Sequence, residues 1–141
     1  MTSYNGKCHC GQTEWTVKLD KDKANHILCH CDTCKILSGS AYTLNQIVPK
    51  DTLSFSKGGD SLKHYTYQGE SGKDVNCYYC PNCTSHIYHH QTVMGPDTVI
   101  VRTALLPQAV KDFQPSAEIF GRAKMSWEKE VAQTFDTLPP S

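Results

Sequence analysis

The eight cysteines of this 141-residue chain fall into three short clusters. The clusters are Cys8-His-Cys10, Cys29-His-Cys-Asp-Thr-Cys34 and Cys77-Tyr-Tyr-Cys-Pro-Asn-Cys83. Cysteines separated by one or two residues do not easily satisfy the geometry of a disulfide bond with each other. A C-x2-C turn directs two thiolates at one tetrahedral metal, and zinc is the metal that this spacing indicates. The fold must therefore bring distant parts of the chain to shared zinc ions.

Length and charge limit the class of protein. The chain is long enough for one domain with its own core, residues 1–141,. Lys plus Arg and Asp plus Glu both number 14, so charge gives no reason to expect nucleic acid or a membrane as partner. The sequence contains neither a secretory signal nor an apolar run of roughly 20 residues. We expect a soluble cytoplasmic protein, where cysteines are metal ligands more often than disulfides; a mature secreted chain is the alternative.

The segments between the clusters mostly favour strands. Residues 13–19 and 52–56 alternate polar and apolar side chains, which is the period of a half-buried strand,. Residues 62–67 and 75–79 flank a glycine-containing turn and predict a hairpin. Further strands are predicted at 26–30, 41–48, 85–89 and 98–102, and short helices at 35–39 and 126–133, the second with Ser126 as N-cap,. The fold class is predicted to be mainly β with one or two short helices.

Cys8 and Cys10 supply only two ligands, so they need partners from far along the chain. Cys80 and Cys83 have the spacing of a zinc knuckle and are the natural source,. Four thiolates joined in this way would form a closed site that stabilises the fold and has no position for a substrate. The first and third clusters therefore predict a structural zinc.

The remaining ligands are Cys29, Cys31 and Cys34, with Cys77 undecided. Three thiolates on zinc with the fourth position free is the arrangement of a reactive site. Alternatively, Cys77 or a histidine completes a second closed site, or Cys77 is a small buried residue with no metal role. The spacing leaves these alternatives open.

The order of these motifs resembles the Gfa family, named for the glutathione-dependent formaldehyde-activating enzyme. The resemblance rests on Gly6-Lys-Cys-His-Cys-Gly11, the second cluster with Ser38-Gly-Ser-Ala41, Tyr79-Cys-Pro-Asn-Cys83, Glu118-Ile-Phe120 and Trp127. It implies a β-tent fold of short antiparallel sheets held by two zinc ions per chain. It also implies which cysteines hold each ion: Cys8, Cys10, Cys80 and Cys83 the structural zinc, and Cys29, Cys31 and Cys34 the catalytic zinc.

The same resemblance implies an enzyme that joins glutathione to formaldehyde, a reaction classed in reverse as a carbon–sulfur lyase. Three positions depart from the family pattern: Thr84 replaces a usual glycine, Cys77 replaces a basic residue, and Thr103–Pro107 lacks an acidic residue. These departures concern the substrate more than the fold or the class of chemistry. The sequence does not identify the electrophile, the general acid or base, or the oligomeric state.

We expect glutathione, or a glutathione adduct, to bind through sulfur at the second zinc and to lose its proton there. Lys35 is the first candidate to bind its carboxylates, with Arg102 and Arg122 as weaker ones. His30 lies between two ligands and is expected to face away from the metal. Proton transfer is assigned to one of three histidines without a choice among them, His86, His89 and His90.

Two other functions compete with this one, because a fold does not fix a function. The first is a non-catalytic, zinc-stabilised β-tent module that binds a protein. The second is a redox or metal-buffering protein with labile thiols. A fourth side chain on the second zinc would favour the non-catalytic module, whereas a position open to a thiol would favour the enzyme.

Overall fold

The computed structural model describes residues 1–140, which form ten strands and two short α-helices. The strands are β1 Thr2–Lys7, β2 Glu14–Leu19, β3 His26–Cys29, β4 Thr43–Pro49, β5 Leu53–Lys57, β6 Lys63–Gln68, β7 Asp74–Tyr79, β8 His86–Gln91, β9 Thr98–Arg102 and β10 Pro115–Ile119. The helices are α1 Asp32–Ser38 and α2 Pro107–Asp112. The predicted fold class, mainly β with one or two short helices, is confirmed.

The strands form two sheets. β1, β2 and β5 make a small antiparallel sheet, and the large sheet has the order β10-β3-β4-β9-β8-β7-β6. The predicted hairpin is present as β6 and β7, paired from Lys63↔Tyr79 to Gln68↔Asp74. All neighbouring pairs are antiparallel except β10 with β3, which run parallel. This parallel pair was not predicted from the sequence.

The hydrophobic core lies between the two sheets. Alternation along β2 directs Trp15, Val17 and Leu19 to the buried side, as expected for a strand with one solvent-exposed face,. The Trp15 indole covers Gly6 on β1, where any side chain would overlap it. Further core residues include Val48, Ile87, Val99 and Val101 on β4, β8 and β9, with Ala109 on α2 and Phe113 directly after it.

The other face of the large sheet carries the second cysteine cluster. Because directly paired residues point to the same face of a sheet, the register places Ile47, Ile100, His89 and Cys77 side by side across four strands,. Their chain neighbours, among them Val48, point into the core instead. The sheet thus separates the core from the candidate site.

The helix predicted over 126–133 is wrong, because this segment returns along β10 in an irregular conformation. The backbone N–H groups of Val131 and Ala132 donate to the Glu118 carboxylate at 2.9 and 3.4 Å. The Gln133 carbonyl accepts from the backbone of Glu118 at 2.9 Å. These groups are therefore not available to a helical hydrogen-bond ladder.

β1, β10 and α2 were not predicted from the sequence. β1 is mostly polar and buries only Tyr4 and Gly6, and β10 begins with Pro115 and buries a glutamate. α2 has only six residues and is held by packing of Ala109. Neither α-helix, nor any other helix in residues 1–140, is long and apolar enough to cross a bilayer.

Candidate metal centres and the adjoining cavity

The first group of sulfurs joins the end of β1 to the turn between β7 and β8. The Sγ atoms of Cys8, Cys10, Cys80 and Cys83 all lie within 4.8 Å of one another. The Cys8–Cys10 and Cys10–Cys80 sulfur distances are 3.6 and 3.7 Å. A disulfide bond is about 2.05 Å long, whereas two sulfurs about 2.3 Å from a tetrahedral zinc lie about 3.8 Å apart. The four thiols are free and could hold a metal ion.

Backbone turns aim these thiols at a common point. The backbone N–H of Thr13 donates to the Cys8 sulfur at 3.2 Å, and the Ser85 hydroxyl lies 3.2 Å from the Cys83 sulfur. The hydrogen bond with Ser85 is the main cause that lowers the pKa of Cys83 to about 5. Thr84 has φ of 65°, a left-handed conformation that disfavours β-branched residues. The turn thus keeps the conformation that glycine would adopt without strain.

The second group of sulfurs lies where β3 passes into α1. The Sγ atoms of Cys29, Cys31 and Cys34 lie within 4.8 Å of one another, with 3.3 Å between those of Cys29 and Cys34. Cys31 is the N-cap of α1, and its sulfur accepts a hydrogen bond from the Cys34 backbone N–H at 3.2 Å. The residues that start the helix therefore also orient two of the three thiols.

Within residues 1–140, neither Cys77 nor any histidine belongs to this second group of metal-ligating atoms. Cys77 lies on β7, is 5% exposed, and burial raises the pKa of its thiol to about 11. The spacing left open whether Cys77 completes the second group. In the structure the group consists of three sulfurs, and Cys77 is a separate buried residue. A zinc site with an open position has three ligands from the protein, and three thiolates can be those ligands.

A buried cation accompanies the three sulfurs. Arg102 on β9 is 7% exposed, and its Nη1 donates to Oδ1 of Asn45 at 3.1 Å. No carboxylate in the described part of the chain forms an ion pair with it. Hydrogen bonding from Cys29 is the main cause that lowers the pKa of Cys34, and the Arg102 charge also lowers it. The guanidinium therefore favours thiolates in this group.

A cavity of about 430 Å³ opens beside the three sulfurs and extends across the outer face of the large sheet. Its floor consists mainly of apolar side chains, including Ile27, Ile47, Val75 and Ile100. Its rim carries exposed polar side chains from α1, from the β6–β7 turn and from the chain after β10, including Asp32, Glu70 and Arg122. The second group of thiols thus lies at a site that can admit a small molecule.

His89 is the histidine that lines this cavity. Its Nδ1 is buried and has no hydrogen-bond partner within residues 1–140. Burial, together with the nearby Arg102 charge, lowers the pKa of His89 to about 3, so the ring is neutral at physiological pH. The other two candidate histidines do not line the cavity, and Nε2 of His90 lies 2.8 Å from the Gly95 carbonyl oxygen.

Tyr67 also lines the cavity, and burial is the main cause that raises the pKa of its phenol. The sequence alone did not single it out. Tyr78 and Tyr88 stack with ring centroids 4.6 Å apart and, like Tyr79, do not line the cavity. Cys77 and Val75 are two residues apart on β7 and therefore point to the same face, and Tyr67 pairs with Val75 across the hairpin. This pattern could have identified Tyr67 from the sequence.

His30 faces away from the thiols, as alternation predicts, and is fully buried. Its Nε2 lies 2.8 Å from Oε1 of Glu118 on β10. The same carboxylate accepts from Nζ of Lys124 at 2.9 Å and from the Thr134 hydroxyl at 3.1 Å. Burial opposes ionisation of Glu118, but these hydrogen bonds, with one from the Val131 backbone, outweigh it and lower its pKa to about 2. Sequence reasoning gave Glu118 no role.

The sequence pattern of the family described as glutathione-dependent formaldehyde-activating enzyme matches residues 3–123. The chain belongs to this family. A relative from Phaeosphaeria nodorum, provisionally named as such an enzyme, is 23% identical over 95% of this chain and 76% of its own length. Another from Penicillium rubens, named in the same way, is 26% identical over 58% of this chain and 41% of its own length.

The match to the Penicillium relative therefore spans about two fifths of that protein. A crystal structure of a Rhodobacter sphaeroides protein superposes with a TM-score of 0.56 at 22% identity. It covers 77% of this chain and 96% of that chain. At this level of identity the likeness shows a shared fold.

Lys35, the first candidate for binding the glutathione carboxylates, does not line the cavity. Its Nζ donates to the Ala123 carbonyl and lies 3.1 Å from the Asp32 carboxylate. The substrate-binding role of Lys35 stays a prediction. The guanidinium groups that line the cavity of this member of the formaldehyde-activating enzyme family are those of Arg102 and Arg122.

Proposed function

We propose that this protein is a zinc-dependent enzyme of the carbon–sulfur lyase type, acting on a glutathione or related thiol adduct of an aldehyde. The supporting observation is the grouping of Cys29, Cys31 and Cys34 beside a cavity, with no fourth ligating side chain from residues 1–140. In this proposal these three residues hold the catalytic zinc. The other group, Cys8, Cys10, Cys80 and Cys83, holds a structural zinc within a single domain, residues 1–141.

Zinc bound to three thiolates accepts a further sulfur readily and favours the thiolate form of a thiol. The chain supplies the surroundings for that chemistry. Arg102 offsets negative charge at the sulfurs. Arg122 lies at the rim, where it can bind a carboxylate of glutathione,.

The proposed reaction in the lyase direction is cleavage of a hemithioacetal. The carbon–sulfur bond breaks and its electron pair stays on sulfur, while the hydroxyl oxygen forms the carbonyl and loses its proton. Because Nε2 of His89 lies 3.5 Å from the Gln91 amide nitrogen and accepts from it, the unpartnered Nδ1 carries the ring proton and is the candidate hydrogen-bond donor to the carbonyl oxygen that forms, while the hydroxyl proton passes to solvent water. No oxidant or reductant is needed. The Tyr67 hydroxyl, neutral because burial raises its pKa, can donate a hydrogen bond to the same oxygen,.

The proposal is tested by titrating glutathione into the cobalt-substituted protein and following the sulfur-to-cobalt absorption band. We expect the band to change on adding thiol, and exchange between free aldehyde and hemithioacetal, followed by NMR, to accelerate with the zinc-loaded protein. Cys34→Ser should abolish both responses, whereas the matched variant Cys77→Ser should retain them.

An unchanged band with glutathione, together with an unchanged exchange rate, would overturn the proposal. Two firmly bound metals per chain with no thiol response would instead favour the non-catalytic, zinc-stabilised interaction module. Loss of zinc on mild oxidation with the fold intact would favour the metal-buffering protein.

A further inference from the structure

We propose that the electrophilic part of the thiol adduct carries an extended apolar group, and that the floor of the cavity binds this group. The inference rests on the proposed function, because it places the adduct sulfur at Cys29, Cys31 and Cys34. It adds the class of aldehyde: a hydrophobic one of several carbons, with formaldehyde as a poor fit.

The first argument is size. A water molecule occupies about 30 Å³ in the liquid, so the cavity of about 430 Å³ has room for roughly 14 such volumes. Formaldehyde would add only one carbon and one oxygen to the thiol, so with the glutathione part at the rim most of the floor would stay in contact with water. A group of six to ten carbons would displace that water from the floor.

The second argument is the chemistry of the floor. Ile47 and Ile100 pair directly across β4 and β9, and Val75 follows two strands further along the same face. Ile47 is 45% exposed, and Val93 and Met94 on the wall are 54% and 37% exposed. Ile100 and Val75 are only 5% exposed, so the apolar surface that a ligand can reach in the cavity comes mainly from Ile47, Val93 and Met94. An apolar ligand on this surface gains hydrophobic free energy, which a polar ligand does not.

The third argument is the segregation of polar groups. The charged rim residues Asp32, Glu70 and Arg122 lie at the mouth, and Arg122 and Glu70 pair with each other there. On the floor, Asn45 and Arg102 bond to each other, and the other polar side chains, Tyr67, His89 and Gln91, lie toward β6, β7 and β8, away from Ile27 and Ile47. A polar thiol such as glutathione therefore matches the rim, and only the group attached to its sulfur reaches the apolar floor.

The experiment measures binding of a series of straight-chain thiols, ethanethiol to hexanethiol, to the cobalt-substituted full chain through the sulfur-to-cobalt band. We expect affinity to rise by about threefold to fourfold for each added methylene. Equal affinity along the series would overturn this inference while leaving the proposed function intact. Failure of every thiol, including glutathione, would overturn the proposed function and this inference with it.

Two variants place a polar side chain in the cavity lining at half-exposed positions, Ile47→Asn on the floor and Val93→Asn on the wall. We expect each to weaken hexanethiol binding by about tenfold, the loss of one to two buried methylenes and a methyl contact. Val110→Asn on α2, at a site 56% exposed and outside the cavity, is the matched control. A chain-length dependence that stays unchanged in both lining variants would overturn the inference.

The same preference should appear in turnover. With glutathione held constant, the zinc-loaded protein should accelerate hemithioacetal exchange more for hexanal than for formaldehyde, each relative to its uncatalysed rate. A greater acceleration for formaldehyde would show that the cavity floor does not select the substrate.

Discussion

The Glu118 carboxylate on β10 lies 2.8 Å from Nε2 of His30, a residue between two thiols of the second group. Both side chains are 1% exposed or less. Nδ1 of His30 is also 3.6 Å from the Glu128 carboxylate. On the side away from the thiols, the loop that carries the three cysteines is thus held by Glu118 and Glu128. Its geometry therefore depends on the position of β10.

Glu118→Gln should destabilise the protein by about 2–4 kcal/mol, because one buried carboxylate serves several donors and Lys124 would lose its partner,. Urea unfolding of the metal-loaded protein measures this change in the free energy of unfolding. Glu130→Gln, at an exposed position, is the control and should be neutral within about 0.5 kcal/mol,. Equal effects of the two substitutions would contradict the role given to Glu118.

Thr84→Gly should stabilise the protein by about 1 kcal/mol, because φ of 65° is unfavourable for threonine and natural for glycine,. The melting temperature would then rise by roughly 2–4 °C. Thr84→Ala removes the same side-chain atoms beyond Cβ but keeps the backbone strain, so it should give no such rise. A gain with alanine as large as that with glycine would show that the backbone conformation is not the cause.

His89→Gln should make stability less dependent on pH. The pKa of His89 is lowered to about 3, against about 6.5 when unfolded. Between these values the unfolded state binds the additional proton, so stability falls as pH falls through this window and is fully present above it. From pH 7 to 4.5 we expect the loss to be about 2–3 kcal/mol smaller in His89→Gln than in the wild type.

The measurement is urea unfolding at each pH, with His9→Gln at an exposed position as the control. Acid also protonates the cysteine ligands, but that effect is common to all three proteins. Parallel curves for wild type and His89→Gln would contradict a buried neutral His89.

Arg102→Met should weaken metal binding at the second group of thiols by about tenfold, because it removes the cation that lowers the pKa of Cys34,. Arg102→Lys retains a charge there and should lose less. Competition with a chromophoric chelator measures the two zinc affinities per chain. If Arg102→Met weakened the first group of thiols equally, the effect would be global and not electrostatic.

Much of the fold was accessible from the sequence because its signals are local. Alternation in β2 and the glycine turn between β6 and β7 each fix a strand without reference to distant residues. β10 could not be identified in this way, since a proline and a glutamate oppose a strand and only pairing with β3 compensates. The predicted helix at 126–133 failed for a related reason: its backbone donors bond to Glu118 instead of to one another.

The candidate site divides similarly. Cysteine spacing identified the members of both thiol groups, because ligands on one turn are neighbours in sequence. It could not place Cys77 outside the second group, nor choose His89 among three histidines, because both depend on the register of β7 and β8. Lys35 follows Cys34 directly in sequence, yet its amine donates to the Ala123 carbonyl.

His30 and Glu118 are 88 residues apart in the chain. During synthesis on the ribosome, the three thiols of the second group are therefore made long before β10, the strand that holds their loop in position. A nascent chain would hold these sulfurs in a loose loop, open to oxidation or to capture of a competing metal such as copper. Timing of metal delivery, after rather than during translation, would then decide which ion the finished protein contains.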